Sequence, residues 1–189
     1  MSRVVWHITM SLDGFIAGPD DAMDWAFRSS GPSRIADDVM NTTGAILAGR
    51  RWHGVATAKY DGQQGIYGGK WNGPVFVLTH RPPEASADPE ITFLQTSVEE
   101  AVAAGKEAAD DKNLEIFGAN LAAQCLDAAL IDEIVVHVAP VLLGDGVRLY
   151  GVAGERRQVE LKRTDLDESG EQTSLRFGVT RYQRQRGST

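Results

Sequence analysis

Apolar positions recur along most of the chain in two alternating patterns. Short apolar runs at residues 4–9, 44–48, 74–79, 91–94, 114–117 and 133–139 have the length and the β-branched content of buried strands. Between them, apolar residues follow helical spacing at 33–41, from Ser97 onward, and from Leu121 to Leu130. Strands that alternate with helices favour a sheet whose strands are mostly parallel.

The C-terminal part of the chain follows a different pattern. Apolar and polar residues alternate from Val159 to Leu161 and again from Leu175 to Val179, which predicts an antiparallel hairpin with residues 166–172 between its strands. The complete pattern predicts an α/β fold with about eight strands, three or four helices, a mostly parallel sheet and an antiparallel C-terminal hairpin. Since no segment has the composition of a linker, we expect residues 1–189 to form a single domain.

Local features refine this prediction. Ser97 and Glu100 have the spacing of a capping box, so a helix should begin at Ser97. Residues 59–73 are expected to form a long irregular loop, with Trp71 as its main apolar anchor. The helix in the segment 121–130 should bury one face, made of Leu121, Ala122, Cys125, Leu126, Ala129 and Leu130.

Composition and missing motifs exclude several classes of protein. The formal charge of −7 argues against nucleic acid as the main partner. The single cysteine, Cys125, excludes an internal disulfide and any cysteine-rich metal site. No leader peptide and no apolar run of membrane-spanning length are present, so we expect a cytoplasmic protein without a membrane partner. Most of the four histidines, at positions 7, 53, 80 and 137, are expected to be structural.

Phosphate-friendly groups follow three of the predicted strands. They are Gly49, Arg50 and Arg51; Thr79, His80 and Arg81; and Gly118, Ala119 and Asn120. Because the carboxyl ends of parallel strands lie at one edge of a sheet, these groups should converge. Three such groups suit a dinucleotide with a pyrophosphate and a further 2′-phosphate, which favours NADPH over NADH since arginine matches phosphate geometry.

Each of these signals also has a plainer explanation. Gly118 and Ala119 would let a phosphate approach the first turn of a helix, or Asn120 could cap that helix in an ordinary turn. Arg50 and Arg51 would point in different directions on a helix, so one could reach a phosphate while the other stays in water. Asp13 directly follows a buried strand, where it could face a ligand or cap a turn.

Other enzyme classes find little support. The chain contains no G-x-G-x-x-G and no Walker A pattern, so a standard Rossmann site and a P-loop are not predicted. H-E-x-x-H and C-x-x-C are missing as well, and Ser11 and Ser97 lack the context of a nucleophile elbow. Hydrolase and metalloenzyme functions, and a resident metal, are therefore not expected.

Several stretches of the sequence together resemble a known family. They are the segment 11–17 (SLDGFIA), the triplet 49–51 (GRR), the segment 74–82 (PVFVLTHRP), and the segments 130–133 (LIDE) and 140–146 (PVLLGDG). In this order they resemble the dihydrofolate-reductase-like superfamily. More narrowly, the chain resembles stand-alone proteins similar to the reductase domain of the bifunctional riboflavin-biosynthesis deaminase-reductase, over nearly its whole length.

The resemblance implies a three-layer α/β/α fold, a homodimer and a set of site residues. It implies that Asp13 faces the substrate and that Ile16 and Ala17 lie near the nicotinamide. It implies that NADPH is bound by Gly49, Arg50, Arg51, Leu78, Thr79, His80, Arg81, Phe117, Gly118, Ala119, Asn120 and Leu121.

The chain also departs from the family pattern. The family usually has two glycines where this chain has Gly118 and Ala119, and a deaminase domain is missing. The expected activity is NADPH-dependent reduction of a small heterocyclic or ribosylamino-pyrimidine-type substrate. Alternatives are a non-catalytic NADPH-binding module, a dimeric interaction protein without a ligand, and a dihydrofolate or pterin reductase. The acid on the first helix of folate reductases has no firm counterpart in Asp37 or Asp38.

Overall fold

The computed structural model describes residues 2–28, 31–54, 66–83, 90–151 and 157–184. Three elements of the described residues are left without labels: residues 50–54 are helical, and short 3₁₀ turns lie at Pro19–Asp21 and Ile66–Gly69. The remaining elements are, in chain order, β1 Val4–Ser11, β2 Phe15–Ala17, α1 Asp24–Arg28, α2 Arg34–Thr42, β3 Thr43–Gly49, β4 Val75–Leu78, β5 Ile91–Leu94, α3 Val98–Ala109, β6 Asn113–Phe117, α4 Ala119–Asp127, β7 Glu133–Ala139, β8 Val147–Arg148, β9 Arg157–Asp167 and β10 Thr173–Arg184.

Eight of these strands form the main sheet, in the order β5-β4-β3-β6-β1-β7-β10-β9. The pairs from β5 through β1 are parallel, whereas β10 is antiparallel to both β7 and β9. The predicted α/β fold, its mostly parallel sheet and its antiparallel C-terminal hairpin are therefore confirmed. The strands β2 and β8 pair separately as a two-stranded antiparallel ribbon, which the sequence patterns did not predict.

The chain divides into two compact units. One comprises Met1–His7 and Asp37–Ile131, and the other comprises Ile8–Ala36 and Asp132–Thr189. Both β1 and α2 continue from one unit into the other, so the division does not coincide with a loop. A single domain over residues 1–189 stays a prediction.

The core of the first unit consists of β-branched and aliphatic side chains on the central strands. Ile46, Leu114 and Ile116 are fully buried, and each such side chain contributes about 1.5–3 kcal/mol relative to an exposed one. Helix α3 approaches this layer closely because it has a glycine at its centre. A Cβ on Gly105 would lie only 2.7 Å from Leu114 Cδ1, so a larger residue would force either the buried Leu114 side chain or the helix to move.

The local features at the start of α3 and at Trp71 are confirmed. The Ser97 hydroxyl accepts a bond from Glu100 N, and the Glu100 carboxylate accepts one from Ser97 N. Trp71 packs against the buried cluster of Ile46, Ala48 and Val75, and its Nε1 donates to the Thr43 carbonyl over 3.0 Å. The part of the predicted loop at residues 59–65 lies outside the described residues, and so do residues 55–58.

Two predicted boundaries are wrong. The helix that begins at Ala119 ends at Asp127, because Ala129 adopts a left-handed φ of 55° and Leu130 N donates to the Cys125 carbonyl to close the end. Ala129 and Leu130 therefore do not extend its buried face. Strand β9 continues to Asp167, where Leu166 pairs with Leu175, so the connection between the hairpin strands is shorter than 166–172.

Candidate functional site

Three strand ends meet at the carboxyl edge of the first unit, as the sequence predicted. Strand β3 lies between β4 and β6, and both pairings are parallel. Gly49 is level with Leu78, and Ala48 is level with Phe117, so the residues that follow these strands leave the sheet at the same height. We call the group formed by Gly49, Thr79 and Gly118 the strand-end cradle.

Gly118 gives the cradle its conformation. Its φ of 98° and ψ of 133° belong to a region that residues with a Cβ rarely adopt. A Cβ built on Gly118 would lie 3.9 Å from Trp52 Cβ and 4.0 Å from Gly49 N, so the two strand-end glycines bring their backbones close together. This position needs glycine for its backbone angles rather than for lack of space.

The start of α4 corrects one prediction and explains one departure. Gly118 is the N-cap residue, and Asn120 lies inside the helix with its Oδ1 accepting from Gln124 Nε2 over 2.7 Å, so Asn120 does not cap the helix. The first helical bond runs from Ala122 N to the Gly118 carbonyl, which leaves the N–H groups of Ala119, Asn120 and Leu121 without an acceptor inside the helix. Ala119 is the first helical residue, where alanine fits without backbone strain.

Basic side chains follow two of the strand ends that form the cradle. Arg50 and Arg51 open the helical segment 50–54 and are both exposed, and His80 and Arg81 are exposed after β4. Within the described ranges, neither Arg50 nor Arg81 has its guanidinium paired with a carboxylate.

Thr79 itself is fixed in place. It is buried, its N–H donates to the Leu94 carbonyl over 2.9 Å, and its Oγ1 accepts from Arg81 N over 3.1 Å. The cradle thus combines a rigid backbone with exposed positive charge.

In the second unit, Asp13 joins two loops. Its carboxylate accepts from Gly144 N over 2.7 Å, from Leu143 N over 3.1 Å, and from the Ser11 hydroxyl over 2.6 Å. These bonds, with the Ser11 hydroxyl as the largest effect, lower the pKa of Asp13 to about 2. Asp13 is therefore ionised at neutral pH, and it does more than cap its own turn.

The residues that follow Asp13 are held by backbone pairing. Ile16 and Ala17 lie in β2 with their side chains buried, and β2 pairs with β8. Gly146 lies so close to the Ala17 carbonyl that a Cβ there would overlap it. Any ligand contact at Ile16 and Ala17 would therefore involve the backbone more than the side chains.

A buried polar network in the first unit was missed in the sequence. Glu115, in β6, is fully buried, and its carboxylate accepts from Thr43 Oγ1 over 2.9 Å and from the Tyr67 hydroxyl over 2.5 Å. His7 Nδ1 lies 2.9 Å from the same carboxylate and 2.7 Å from the Tyr67 hydroxyl. The signal that could have revealed it is a charged residue within the apolar run of residues 114–117.

The remaining candidates make structural contacts. His53 packs edge-on against Phe93, and His137 Nδ1 lies 2.7 Å from the Ser174 hydroxyl. Cys125 is fully buried, and burial raises the pKa of its thiol to about 12. Among the residues that the structure describes, no three histidine, cysteine or acidic side chains are placed to hold a metal ion. Within the described residues, every helix is too short or too polar to span a membrane.

Comparisons of the sequence with known proteins find a family and relatives that match most of the chain. The sequence model of the RibD C-terminal domain matches residues 2–175. The chain is 26% identical over 167 residues to the uncharacterised protein YwjB of Bacillus subtilis, which covers 86% of this chain and 90% of that protein.

Solved structures establish the same fold. A Shewanella sp. PV-4 protein assigned to riboflavin biosynthesis superimposes with a TM-score of 0.79 at 22% identity, over 95% of this chain and 99% of that one. A Thermotoga maritima diaminohydroxyphosphoribosylaminopyrimidine deaminase/5-amino-6-(5-phosphoribosylamino)uracil reductase superimposes with a TM-score of 0.67 at 18% identity, over 95% of this chain and 57% of that one.

Proposed function

The chain belongs to the RibD C-terminal domain family, and from this premise we propose that it is an NADPH-dependent reductase of a small heterocyclic or ribosylamino-pyrimidine-type substrate. The relative from Thermotoga maritima, whose name includes a 5-amino-6-(5-phosphoribosylamino)uracil reductase, supports this substrate class. We also propose that residues 1–189 act as a single domain and that the protein is a cytoplasmic homodimer.

One observation carries the proposal, namely the convergence of three parallel strand ends on the cradle of Gly49, Thr79 and Gly118. The carboxyl edge of a parallel sheet is where ligands of α/β proteins bind. Here that edge offers close backbones, first-turn N–H groups of α4 that have no acceptor inside the helix, and exposed arginines. This is the chemistry of an anion site.

The residues present fit a phosphorylated dinucleotide. Glycine at 49 and 118 keeps side chains out of the approach to the backbone, and Ala119 adds only one methyl group at the first helical position. Arg50 and Arg81 are the candidates for the 2′-phosphate because no carboxylate of the described residues competes for them. When bound, NADPH would supply the hydride for the reduction.

The remaining predicted contacts are divided between backbone and side chains. Leu78, Phe117 and Leu121 would border the cofactor at the ends of β4 and β6 and in α4. Arg51 and His80 would contribute further positive charge and a hydrogen-bond donor. Ile16 and Ala17 would contact the nicotinamide through their backbone.

Asp13 is better suited to orient a substrate than to donate a proton. Its pKa of about 2 leaves almost no protonated carboxyl group at neutral pH. Its bonds to Leu143 and Gly144 also connect the loop at 140–146 to the turn that follows β1. Asp13 would therefore act on a substrate as a fixed negative acceptor.

A folate or pterin reductase is the weaker candidate. That activity would place an acid on the first long helix, but Asp37 and Asp38 of α2 are both exposed. Their exposure gives them no buried site in which to hold a pterin ring.

Thermal melting with NADPH and with NADH tests the cofactor. A ligand that binds only the folded state at a hundredfold excess over Kd stabilises it by about 2.7 kcal/mol. For a chain of this size, that corresponds to a rise in melting temperature of about 5–11 °C. We expect this rise with NADPH and a smaller one with NADH.

Variants separate the phosphate contacts from general charge effects. Arg50→Ala and Arg81→Ala should weaken NADPH more than NADH, whereas Arg163→Ala, which removes an exposed arginine from β9, should change neither. An unchanged preference for NADPH in both cradle variants would remove these arginines from the 2′-phosphate site.

Turnover is a separate question from binding. Loss of the absorbance of the reduced nicotinamide when 5-amino-6-(5-phosphoribosylamino)uracil is added to protein and NADPH tests the reductase activity. Binding of NADPH without oxidation by any pyrimidine or pterin would identify the chain as a non-catalytic binding module. No binding of either cofactor would refute the proposal.

A further inference from the structure

An open cavity of about 520 Å³ lies at the amino edge of the main sheet, within the first unit. It is lined by Thr43 and Gly44 at the start of β3, by residues 70–72, which lead towards β4, and by residues 109–112, which lead into β6. The strand-end cradle lies at the opposite end of β3, where the strand ends at Gly49. A strand of seven residues spans about 20 Å, so the cavity is distinct from the proposed cofactor site.

Close packing fixes the segments on both sides of the cavity. The Ala109 carbonyl lies so near Gly44 that a Cβ built on Gly44 would overlap its oxygen. On the other side, Trp71 Nε1 donates to the Thr43 carbonyl over 3.0 Å, and a Cβ built on Gly73 would lie 2.7 Å from the Trp71 ring. Both segments are therefore packed against the start of β3 before any ligand binds, as is usual for a binding site.

Four charged side chains line the cavity without a partner. Lys70 lies on the side of β4, and Asp110, Asp111 and Lys112 lie on the side of β6, because β3 separates these two strands in the sheet. All four are exposed, and none of them forms a salt bridge or a side-chain hydrogen bond with any residue that the structure describes. One side of the cavity is therefore positive, and the other, with two carboxylates and one ammonium group, is negative.

Asp110 has a backbone conformation that favours glycine. Its φ is 56° and its ψ is −122°, and Lys112 N donates to the Ala109 carbonyl over 3.0 Å. Asp110 is thus the first central residue of a tight turn, with the angles of a type II′ turn, where glycine is the usual residue. Strain of this kind costs stability and is concentrated at functional sites. The chain has a carboxylate beside the cavity at a position where glycine would be more stable.

We propose that this cavity binds a small zwitterion whose ammonium and carboxylate groups are separated by a short apolar chain. Asp110 and Asp111 would bind the ammonium group, and Lys70 would bind the carboxylate. A simple anion is attracted by Lys70 but repelled by the two aspartates, and a simple cation meets the reverse, whereas a zwitterion is attracted on both sides.

The sheet sets the length of the apolar chain. The two charged sides of the cavity belong to strands that flank β3, and two strand spacings amount to about 10 Å. The two charges of the ligand must therefore be several bonds apart. Trp71 and Met40, both half-buried, line the cavity and would contact the apolar chain between them.

A matched set of three probes tests the proposal. The compound ε-aminocaproate has both charges, and hexanoate and hexylamine keep the chain length with one charge each. In titrations of nitrogen-15-labelled protein, ε-aminocaproate should cause saturable shifts in the amide signals of Gly44 and Lys112 and in the indole signal of Trp71. Hexanoate and hexylamine should bind about fivefold more weakly, as expected when one exposed ion pair at the upper end of its range is lost. Equal binding of the three probes, or no shift with ε-aminocaproate, would overturn the proposal.

Charge variants assign each end of the ligand. Lys70→Met should weaken ε-aminocaproate and hexanoate but leave hexylamine unchanged, and Asp111→Asn should weaken ε-aminocaproate and hexylamine but leave hexanoate unweakened. The control is Glu107→Gln, which removes an exposed carboxylate of α3 that does not line the cavity and should change none of the three. An equal effect of Glu107→Gln and Asp111→Asn would show that the charge of the whole protein attracts the probes, and would overturn the proposal.

Asp110→Gly separates binding from folding. Relief of the backbone strain should raise its melting temperature, while loss of the carboxylate should weaken ε-aminocaproate by about fivefold. Weaker binding by a more stable protein is not a consequence of unfolding. Unchanged binding of ε-aminocaproate in both Asp110→Gly and Asp111→Asn would overturn the proposal.

The outcome is independent of the proposed function. NADPH should leave the signals of Gly44 and Lys112 in place, because the cradle is about 20 Å away along β3. Movement of these signals by NADPH equal to that with ε-aminocaproate would refute a separate site. If NADPH does not bind at all, the proposed function fails, and the titration with the three probes still decides this inference.

Discussion

Substitution of Gly118 by alanine tests the geometry of the strand-end cradle directly. The built Cβ would meet nothing closer than 3.9 Å, so the cost comes from the backbone alone. A residue with a Cβ at φ 98° and ψ 133° is destabilised by about 1–3 kcal/mol. Since each kcal/mol lowers the melting temperature of a chain of this size by about 2–4 °C, Gly118→Ala should melt about 2–12 °C below the wild type.

A matched variant separates folding from binding. Gly151 also has a positive φ, 104°, and has nothing within 4 Å of its built Cβ, but it lies outside the unit that holds the cradle. Gly151→Ala should therefore lose a similar amount of stability and keep its full melting shift with NADPH. Gly118→Ala should lose both stability and the melting shift with NADPH, because relief of the backbone strain moves the first turn of α4.

Two results would refute this reasoning. A Gly118→Ala protein that melts within about 1 °C of the wild type would show that the backbone is not in the left-handed region, since strain of that kind has a measurable cost. A strained Gly118→Ala protein that binds NADPH as tightly as the wild type would show that the cofactor does not use this turn.

The remaining predictions concern single contacts. Ser97→Ala removes the hydroxyl that caps α3 and should cost about 1 kcal/mol in urea unfolding, whereas Ser97→Asp should cost much less. Because the folded pKa of Asp13 is about 2, below its ordinary 3.8, its bonds add stability above pH 3.8 that is lost as the pH falls towards 2. The gap between the urea midpoints of wild type and Asp13→Asn should therefore be widest at neutral pH and close in acid; a gap independent of pH would contradict it. Cys125, buried with a raised pKa of about 12, should resist thiol reagents at pH 8 until the protein unfolds, and rapid labelling of the folded protein would disprove its burial.

The main sheet was predictable because its strands have strong local patterns. The run Ile91–Leu94 is β-branched or apolar throughout, and Glu133–Ala139 is so except at Glu133 and His137; both were predicted at their observed bounds. The convergence of Gly49, Thr79 and Gly118 needed only the rule that parallel strands end at one edge. Sheet order itself has no local signal, since periodicity does not say which strand lies beside which.

The features that were missed depend on distant partners. Asp13 accepts from Leu143 and Gly144, which are 130 and 131 positions away in sequence. The ribbon of β2 and β8 has strands of three and two residues, too short for alternation to be visible. The role of Tyr67 likewise exists only because the turn at Ile66–Gly69 brings it to Glu115.

The order of the main sheet leaves β9 with a neighbouring described strand on one side only, at β10. Another chain can pair with such an edge strand, and two leucines of β9, Leu161 and Leu166, are substantially exposed. Charged neighbours such as Lys162 and Arg163, together with the bulges in its pairing with β10, oppose this addition. The long C-terminal hairpin can therefore end the sheet without promoting fibril formation. Substitutions that neutralise the charges on β9 would remove this protection, and aggregation would then begin at that strand.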